Sequence, residues 1–446
     1  MASTGKSGLY ALLMAALLMI SAAQPAHAVN ILRDPDIEHA LQQLAAPLIS
    51  AAGLPQGQIK VLVVGDSKLN AFIVDTRHIL IHSGLILKAQ NAEELQAVIA
   101  HELAHIANGH ITRRLANQRN AGGAARFGLL LALAVGASTG NGQAAAGIAL
   151  GASSSASRVF LGHTRAEESS ADQAALRYLA LAKIDPNAMS DVLDYFRGQE
   201  ALSSARQDPY VRSHPLTRDR IRAVKGYAAA YAGSATDHPN AEYWFARARG
   251  KLGAFLQAPG STLRKTLKGD TSDIAVMRRA IAYHRSPNPQ KALAQINKLA
   301  GMRPNDPFVH ELRGQILLES RQYQAAVGAY GRAVNLAPKN ALILAGYGRA
   351  LLALKTRDSY GKALRVLEQA RSRDARDPRM MRDLAVAYAR SGQNGMASVA
   401  TAERYALLGD LKNAKIHAKR AVGLLPQGSQ GWNRAQDVLN AAKFAG

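Results

Sequence analysis

The chain of 446 residues contains no cysteine. That absence excludes disulfides and thiolate metal sites, so any zinc here must be held by His, Asp or Glu. It fits an oxidising, exported compartment without requiring one. Long apolar runs are missing too. Leu9 to Ile20 and Phe127 to Val135 both fall short of the ~20 residues a bilayer-spanning helix needs, and glycines follow the second at 136, 140 and 142. Acidic residues are scarce: 32 Asp+Glu against 55 Lys+Arg leave a net charge of +23. The shortage is local. From Asn240 onward there are 34 Lys+Arg and 14 Asp+Glu, whereas the part before carries 21 and 18. In an exported protein such a basic half points to an anionic membrane surface or an acidic partner protein rather than to nucleic acid. The plain alternative is a solvated helical surface kept soluble by its charge.

What is present begins with a leader. Lys6 precedes the short apolar stretch, and Ala26-His27-Ala28 forms a small-x-small cleavage site. Residues 1–28 therefore read as a signal peptide, with the mature chain starting near Val29 in a bacterial periplasm; an uncleaved membrane anchor is the alternative. The length calls for two or three domains, and 48% hydrophobic residues suffice for their cores. Asp34 to Ala52 has Ile37, Leu41, Leu44 and Leu48 at helical spacing. Gly53, Pro55 and Gly57 end it. Ile59 to Val64, Ala71 to Val74 and His78 to His82 read as short strands with turn residues between. Asn70 to Val74 is the candidate edge strand, able to pair with an extended substrate. Asn91 then caps a helix running to about Asn108, with Glu94 completing a capping box. Ala121 to Ser157, rich in Gly, Ala and Ser, reads as a packed helical hairpin, a mobile lid, or a loop that dips into a bilayer. Asp172 to Arg197 is helical with a break near Asp185-Pro186.

The motif helix carries His101-Glu102-Leu103-Ala104-His105. Residues four apart share a helix face, so both imidazoles can point at one metal ion, with Glu102 beside them as general base. Two histidines leave a zinc site incomplete, since a catalytic zinc takes three protein ligands and keeps an open position. Glu168-Ser169-Ser170-Ala171-Asp172 offers the third ligand: Glu168 and Asp172 share a face, so Glu168 would bind zinc. Asp172 would accept a hydrogen bond from the far nitrogen of a ligand histidine. Glu167 is the competing ligand, at the wrong spacing to Asp172. His110 and His163 read as ordinary polar residues. His214 sits before Pro215, a restricted, non-helical position. There it would either donate to the oxyanion of a tetrahedral intermediate or occupy zinc's open position and hold the site shut.

From about Asp273 the chain repeats with a period near 34 residues. One unit carries Gly314, Leu317, Ala326, Tyr330, Ala333 and Pro338, and the next carries Gly348, Leu351, Ala363, Leu367 and Ala370, with a few residues inserted near Thr356. This pattern resembles tetratricopeptide repeats, whose stacked helix pairs bury a continuous core. The expected division is a metallopeptidase domain at 29–235, a linker at 236–272 and a helical solenoid at 273–446.

The order HELAH, ESSAD and Ser213-His214-Pro215-Leu216-Thr217-Arg218-Asp219-Arg220-Ile221, after a sheet carrying Asn70-Ala71-Phe72, resembles the HtpX/Oma/BepA group of gluzincin proteases. The resemblance covers about Asp34 to Tyr227 with specific motifs; over the repeats it rests on architecture. It implies a mainly α fold with a small β-sheet: a gluzincin-type zinc protease followed by an α-solenoid of tetratricopeptide repeats. It implies one Zn2+ held by His101, His105 and Glu168, Glu102 as the base, Asp172 and Arg220 supporting them, and His214 gating the metal. It places Asn70, Ala71 and Phe72 against the substrate. Members with a signal sequence and such repeats act in the periplasm, close to the outer membrane. This implies degradation of misassembled outer-membrane proteins, assistance to their assembly, and contact with the outer-membrane assembly machinery. The basic repeat half departs from that pattern. An adaptor with a latent protease and an integral membrane protease using Phe127 to Val135 are the rival readings.

Overall fold

A computed structural model of the chain describes residues 30–114, 164–203, 206–231, 233, 235–266 and 269–444. The leader 1–28, the stretch 121–157 and His163 lie outside the described residues. The molecule is mainly helical with one small sheet. Strands β1 (Ile31–Leu32), β2 (Lys60–Val64), β3 (Ala71–Ile73) and β4 (His78–His82) lie in the order β1-β2-β4-β3. β2 and β4 run parallel with Leu62 opposite Leu80, and β3 is antiparallel to β4 with Phe72 opposite Leu80. Successive side chains point to opposite faces. Val61, Val63, Ala71, Ile73, Ile79 and Ile81 enter the main core. Leu62, Val64, Phe72 and Leu80 form a second apolar layer on the other face. Among the described residues β3 pairs with β4 alone and is an edge of the sheet.

Helices close the main core over the first face. Asp34 caps α1 (Pro35–Ala51) by accepting from the Asp36 and Ile37 amides. α2 (Ser83–Lys88) turns the chain into α3 (Ala92–Ala107), capped by Asn91 through the Glu94 amide. The Glu94 carboxylate does not return that bond to the cap residue; it accepts from the Gln90 amide at 2.8 Å, one position earlier. Every residue of α3 from Glu94 to Ile106 is buried. Apolar residues on all sides of a helix drive it into a core, and this helix takes His101, Glu102 and His105 with it. Then come α4 (Arg165–Leu181), α5 (Asn187–Asp194), α6 (Pro209–Ser213) and α7 (Arg218–Ala230).

The stretch 236–272, expected as a linker, holds two helices, α8 (Pro239–Leu256) and α9 (Pro259–Lys265). Phe245, Ala248 and Leu252 on α8 join the main core, and α8 also packs on α10 (Asp273–Arg285). Helix pairs follow: α10 with α11 (Pro289–Met302), α12 (Pro307–Glu319) with α13 (Tyr323–Leu336), and α14 (Ala341–Ala353) with α15 (Arg357–Arg373). Two more are α16 (Pro378–Arg390) with α17 (Asn394–Leu407), and α18 (Leu411–Leu424) with α19 (Gln430–Phe444). Short polar caps at Asn288, Asp306 and Asp377, each followed by proline, start three of these helices. Tyr330 fills the space between successive pairs. A Cβ at Gly314 would come within 2.6 Å of its ring, so glycine is needed for this approach. Among the described residues no helix is long and apolar enough to cross a membrane.

Candidate metal centre

Four elements deliver the polar groups at the centre. α3 supplies His101, Glu102 and His105, and α4 supplies Glu168 and Asp172 one turn apart. The residue after α6 is His214, and α7 supplies Arg220. Thr164 and Glu167 form a reciprocal capping box that starts α4, so Glu167 is occupied at the helix end while Glu168 points inward. All of the inward groups are buried.

The donor atoms converge. His105 Nε2 lies 3.1 Å from His101 Nε2. The two Glu168 oxygens lie 3.4 Å from His101 Nε2 and 3.4 Å from His105 Nε2. His214 Nδ1 completes the group, 3.3 Å from His101 Nε2 and 3.0 Å from Glu168 Oε1. Ligands arranged tetrahedrally about 2.0–2.1 Å from a zinc ion stand roughly 3.3 Å from one another. The spacing of these nitrogens and oxygens therefore fits a metal ion at their centre, with His214 at the fourth corner. Unsatisfied buried oxygens point the same way. Both Glu102 oxygens are buried without a hydrogen bond among the described residues, a costly state for a buried carboxylate.

A second ring of contacts orients the first. Asp172 Oδ1 stands 3.1 Å from His101 Nδ1. Arg220 reaches Asp172 at 2.5 Å through Nε and Glu168 at 2.6 Å through a terminal nitrogen. Burial alone would lower the His101 pKa, but its bonds to Asp172 and Glu168 carry it up to about 9. Burial pushes the Glu102 carboxyl above its ordinary range. It would raise Glu168 too, but the charges of His214 and Arg220 hold that carboxyl well below the usual range. Burial also drives the His105 imidazole well below its ordinary range, toward the neutral form a metal ligand needs.

His214 also reaches outward. Its Nε2 is 3.2 Å from the Ala71 carbonyl on edge strand β3 and 3.4 Å from Glu102 Oε1. Tyr210 packs on its ring at 4.6 Å, and Ser213 donates to the Asn70 side chain at 3.4 Å. Asn70 and Ala71 therefore border the site, while Phe72 faces the opposite side of the sheet against Leu62 and Leu80. One participant has no strong sequence signal. His110 is buried, with Nδ1 2.8 Å from His105 Nδ1; only its position five residues after His105 hinted at that contact.

Comparisons with known proteins place the chain among peptidase-like sequences. Residues 33–228 match the sequence model of peptidase family M48. A putative beta-barrel assembly-enhancing protease of Vibrio cholerae is 30% identical over 223 residues, covering 49% of this chain and 44% of that one. The beta-barrel assembly-enhancing protease of Yersinia pestis is 23% identical over 413 residues, covering 90% and 80%. That of Escherichia coli K12 is 24% identical over 202 residues, covering 44% and 40%. The chain thus spans less than half the length of the Vibrio and Escherichia relatives it matches. A solved structure of MamA covers 40% of this chain and 97% of its own, at 16% identity and a TM-score of 0.30. Residues 33–228 are thus similar to peptidase family M48, and the chain is similar to the beta-barrel assembly-enhancing proteases.

Proposed function

We propose that this chain is a zinc-dependent endopeptidase of the bacterial periplasm, peripheral to the outer membrane, that cuts misassembled outer-membrane proteins and assists their assembly through its repeats. The observation that carries the peptidase reading is the near-tetrahedral spacing of His101, His105, Glu168 and His214 beside a buried Glu102. His101, His105 and Glu168 hold the zinc. Bound there, zinc supplies Lewis-acid polarisation of a peptide carbonyl and acidifies water toward a pKa of roughly 7. Glu102 takes the proton from the attacking water and returns it to the leaving amine. Asp172 fixes the tautomer of His101, and Arg220 holds Asp172 and Glu168 in place. Edge strand β3, with Asn70 and Ala71, aligns an extended substrate by strand addition. The repeats engage the assembly machinery and unfolded clients, by analogy with the names of the relatives.

A second reading is favoured by one observation: His214 Nδ1 stands at the fourth corner and its Nε2 reaches the carbonyl of Ala71. In this arrangement both the open position and the edge strand are engaged. The resting protein is then chiefly a chaperone or adaptor with a latent, His214-gated protease. One experiment addresses both readings. Wild type, Glu102→Gln and His214→Ala are compared for casein cleavage, with zinc content measured in each. Glu102→Gln should lose about 10²–10⁴-fold in rate and keep its zinc; full activity would sink the mechanism. Faster cleavage by His214→Ala supports gating. Loss of activity with zinc retained makes His214 a donor to the oxyanion instead.

A further inference from the structure

A cleft of about 320 Å³ lies between the outer face of the sheet and helices α16 and α17, on the opposite side of the sheet from α3. Its floor is apolar, built from Ile31 and Leu62 on the sheet and Leu407 at the end of α17. Its walls are cationic: six Lys or Arg side chains against the carboxylates of Asp374 and Asp377. Those two carboxylates are already used. Asp374 takes Arg33 at 2.8 Å and Lys60 at 3.3 Å, and Asp377 caps α16 through the Arg379 amide. Arg382 is held by Asp383.

Among the described residues, three guanidinium groups of the cleft have no carboxylate within ion-pair distance. Arg376 donates to Nε2 of His78, whose Nδ1 contacts Asp75. Arg404 lies over the Tyr405 ring at 5.3 Å. The Arg379 side chain has no partner among the described residues. Burial lowers the Arg376 pKa despite the pull of Asp75 and Asp374, as expected where a guanidinium is short of anions.

The geometry points to this cleft as a receptor for the free C-terminal carboxylate of an unfolded polypeptide that ends in an apolar residue. Arg376, Arg379 and Arg404 take the carboxylate by charge-assisted hydrogen bonds, and Ile31, Leu62 and Leu407 take the last side chain. The volume is at the small end for ligand pockets, roughly 300–1,000 Å³, and suits one terminal residue better than an acyl chain. The location is useful. β4 lines the cleft through His78 and pairs with edge strand β3. A chain held by its end in the cleft is one strand, about 5 Å, from that edge.

The inference rests on the chain acting on polypeptides, and its test reads binding alone. The full chain carrying Glu102→Gln is titrated into a fluorescent ten-residue peptide ending in an apolar residue, as free acid and as C-terminal amide, with anisotropy as the readout. The free acid should bind about ten-fold or more tightly than the amide, the effect of one charge-assisted contact. Arg379→Glu with Arg404→Glu should reduce the acid to the level of the amide; both side chains are solvent-accessible, so folding is spared, and circular dichroism checks this. Equal affinity for acid and amide, or an unchanged double variant, overturns the proposal. So does displacement by inorganic phosphate at the same concentration as unlabelled peptide, which would mark a simple anion site. Loss of casein cleavage in Glu102→Gln is a separate measurement, so failure of the peptidase reading and failure of this one are told apart.

Discussion

His110 shows how a single side chain outside the motif can set the metal site. Its ring touches the nitrogen of His105 that faces away from the centre. A partner on that nitrogen fixes the tautomer and orientation of a ligand histidine, and losing such a partner typically costs ~10–100-fold in metal affinity. His110→Ala should therefore weaken zinc binding by about that factor, read by competition with a chelator. Circular dichroism checks that the variant keeps its fold. Unchanged affinity would mean that His105 is held by its helix alone. Asp172 plays the same part behind His101, 3.1 Å from its Nδ1, and is itself clamped by Arg220. The two carboxylates of α4 thus have different work: one aimed at the centre, one at the back of a ligand.

Between elements, shape and charge both constrain the packing. Tyr330 sits between Gly314 and Gly346, and any Cβ at Gly314 meets its ring. Gly314→Val should cost ~1–3 kcal/mol by overpacking, seen as a lower denaturant midpoint; a smaller loss in a Tyr330→Ala background would trace the cost to this contact. Charge is buried where α8 meets α1 and α12. Lys251 is fully buried, 2.9 Å from Asp34 and 3.8 Å from Glu311. Burial pushes the Glu311 carboxyl up to about 8 against the pull of Lys251. A raised pKa gives stability that is full below the unfolded value of 4.5 and is lost as pH rises toward about 8. Glu311→Gln should remove that loss, so its melting temperature should gain on wild type between pH 4.5 and 8; parallel curves would sink the assignment. Such features explain what the sequence made legible. The strands β2 to β4, the cap at Asn91 and the repeat spacing follow from short apolar runs bounded by turn residues, a polar cap and the 34-residue period. The helical character of 239–265 was hidden, because α8 buries Arg247 and Lys251 beside its apolar residues. That pattern reads as a surface until partners such as Asp36 and Asp306 arrive from distant parts of the chain. His110 was hidden for the same reason: its partner is fixed by the turn after α3, not by a motif.

For the whole molecule, the question is where its surplus positive charge faces. At the joint between sheet and repeats much of it is matched. Arg33 and Lys60 meet Asp374, whose carboxyl burial would raise but whose cations hold it well below the usual range. At the far end it is not matched. α18 carries no acidic residue, and its exposed face presents Lys412, Lys415, Lys419 and Arg420 around Ile416 and Leu424, which are 55% and 51% exposed. Basic groups around apolar side chains suit the interface of an anionic membrane, where each Lys or Arg near the surface contributes about 1 kcal/mol. Wild-type protein should therefore sediment with vesicles containing phosphatidylglycerol and remain in the supernatant with purely zwitterionic ones. Lys412→Gln, Lys415→Gln and Lys419→Gln together should weaken that binding on the order of 100-fold at low salt, and added salt should weaken the wild type in the same direction. If the triple variant binds as well as wild type, the basic end serves solubility or an acidic protein partner. The membrane contact would then have to come from another part of the chain.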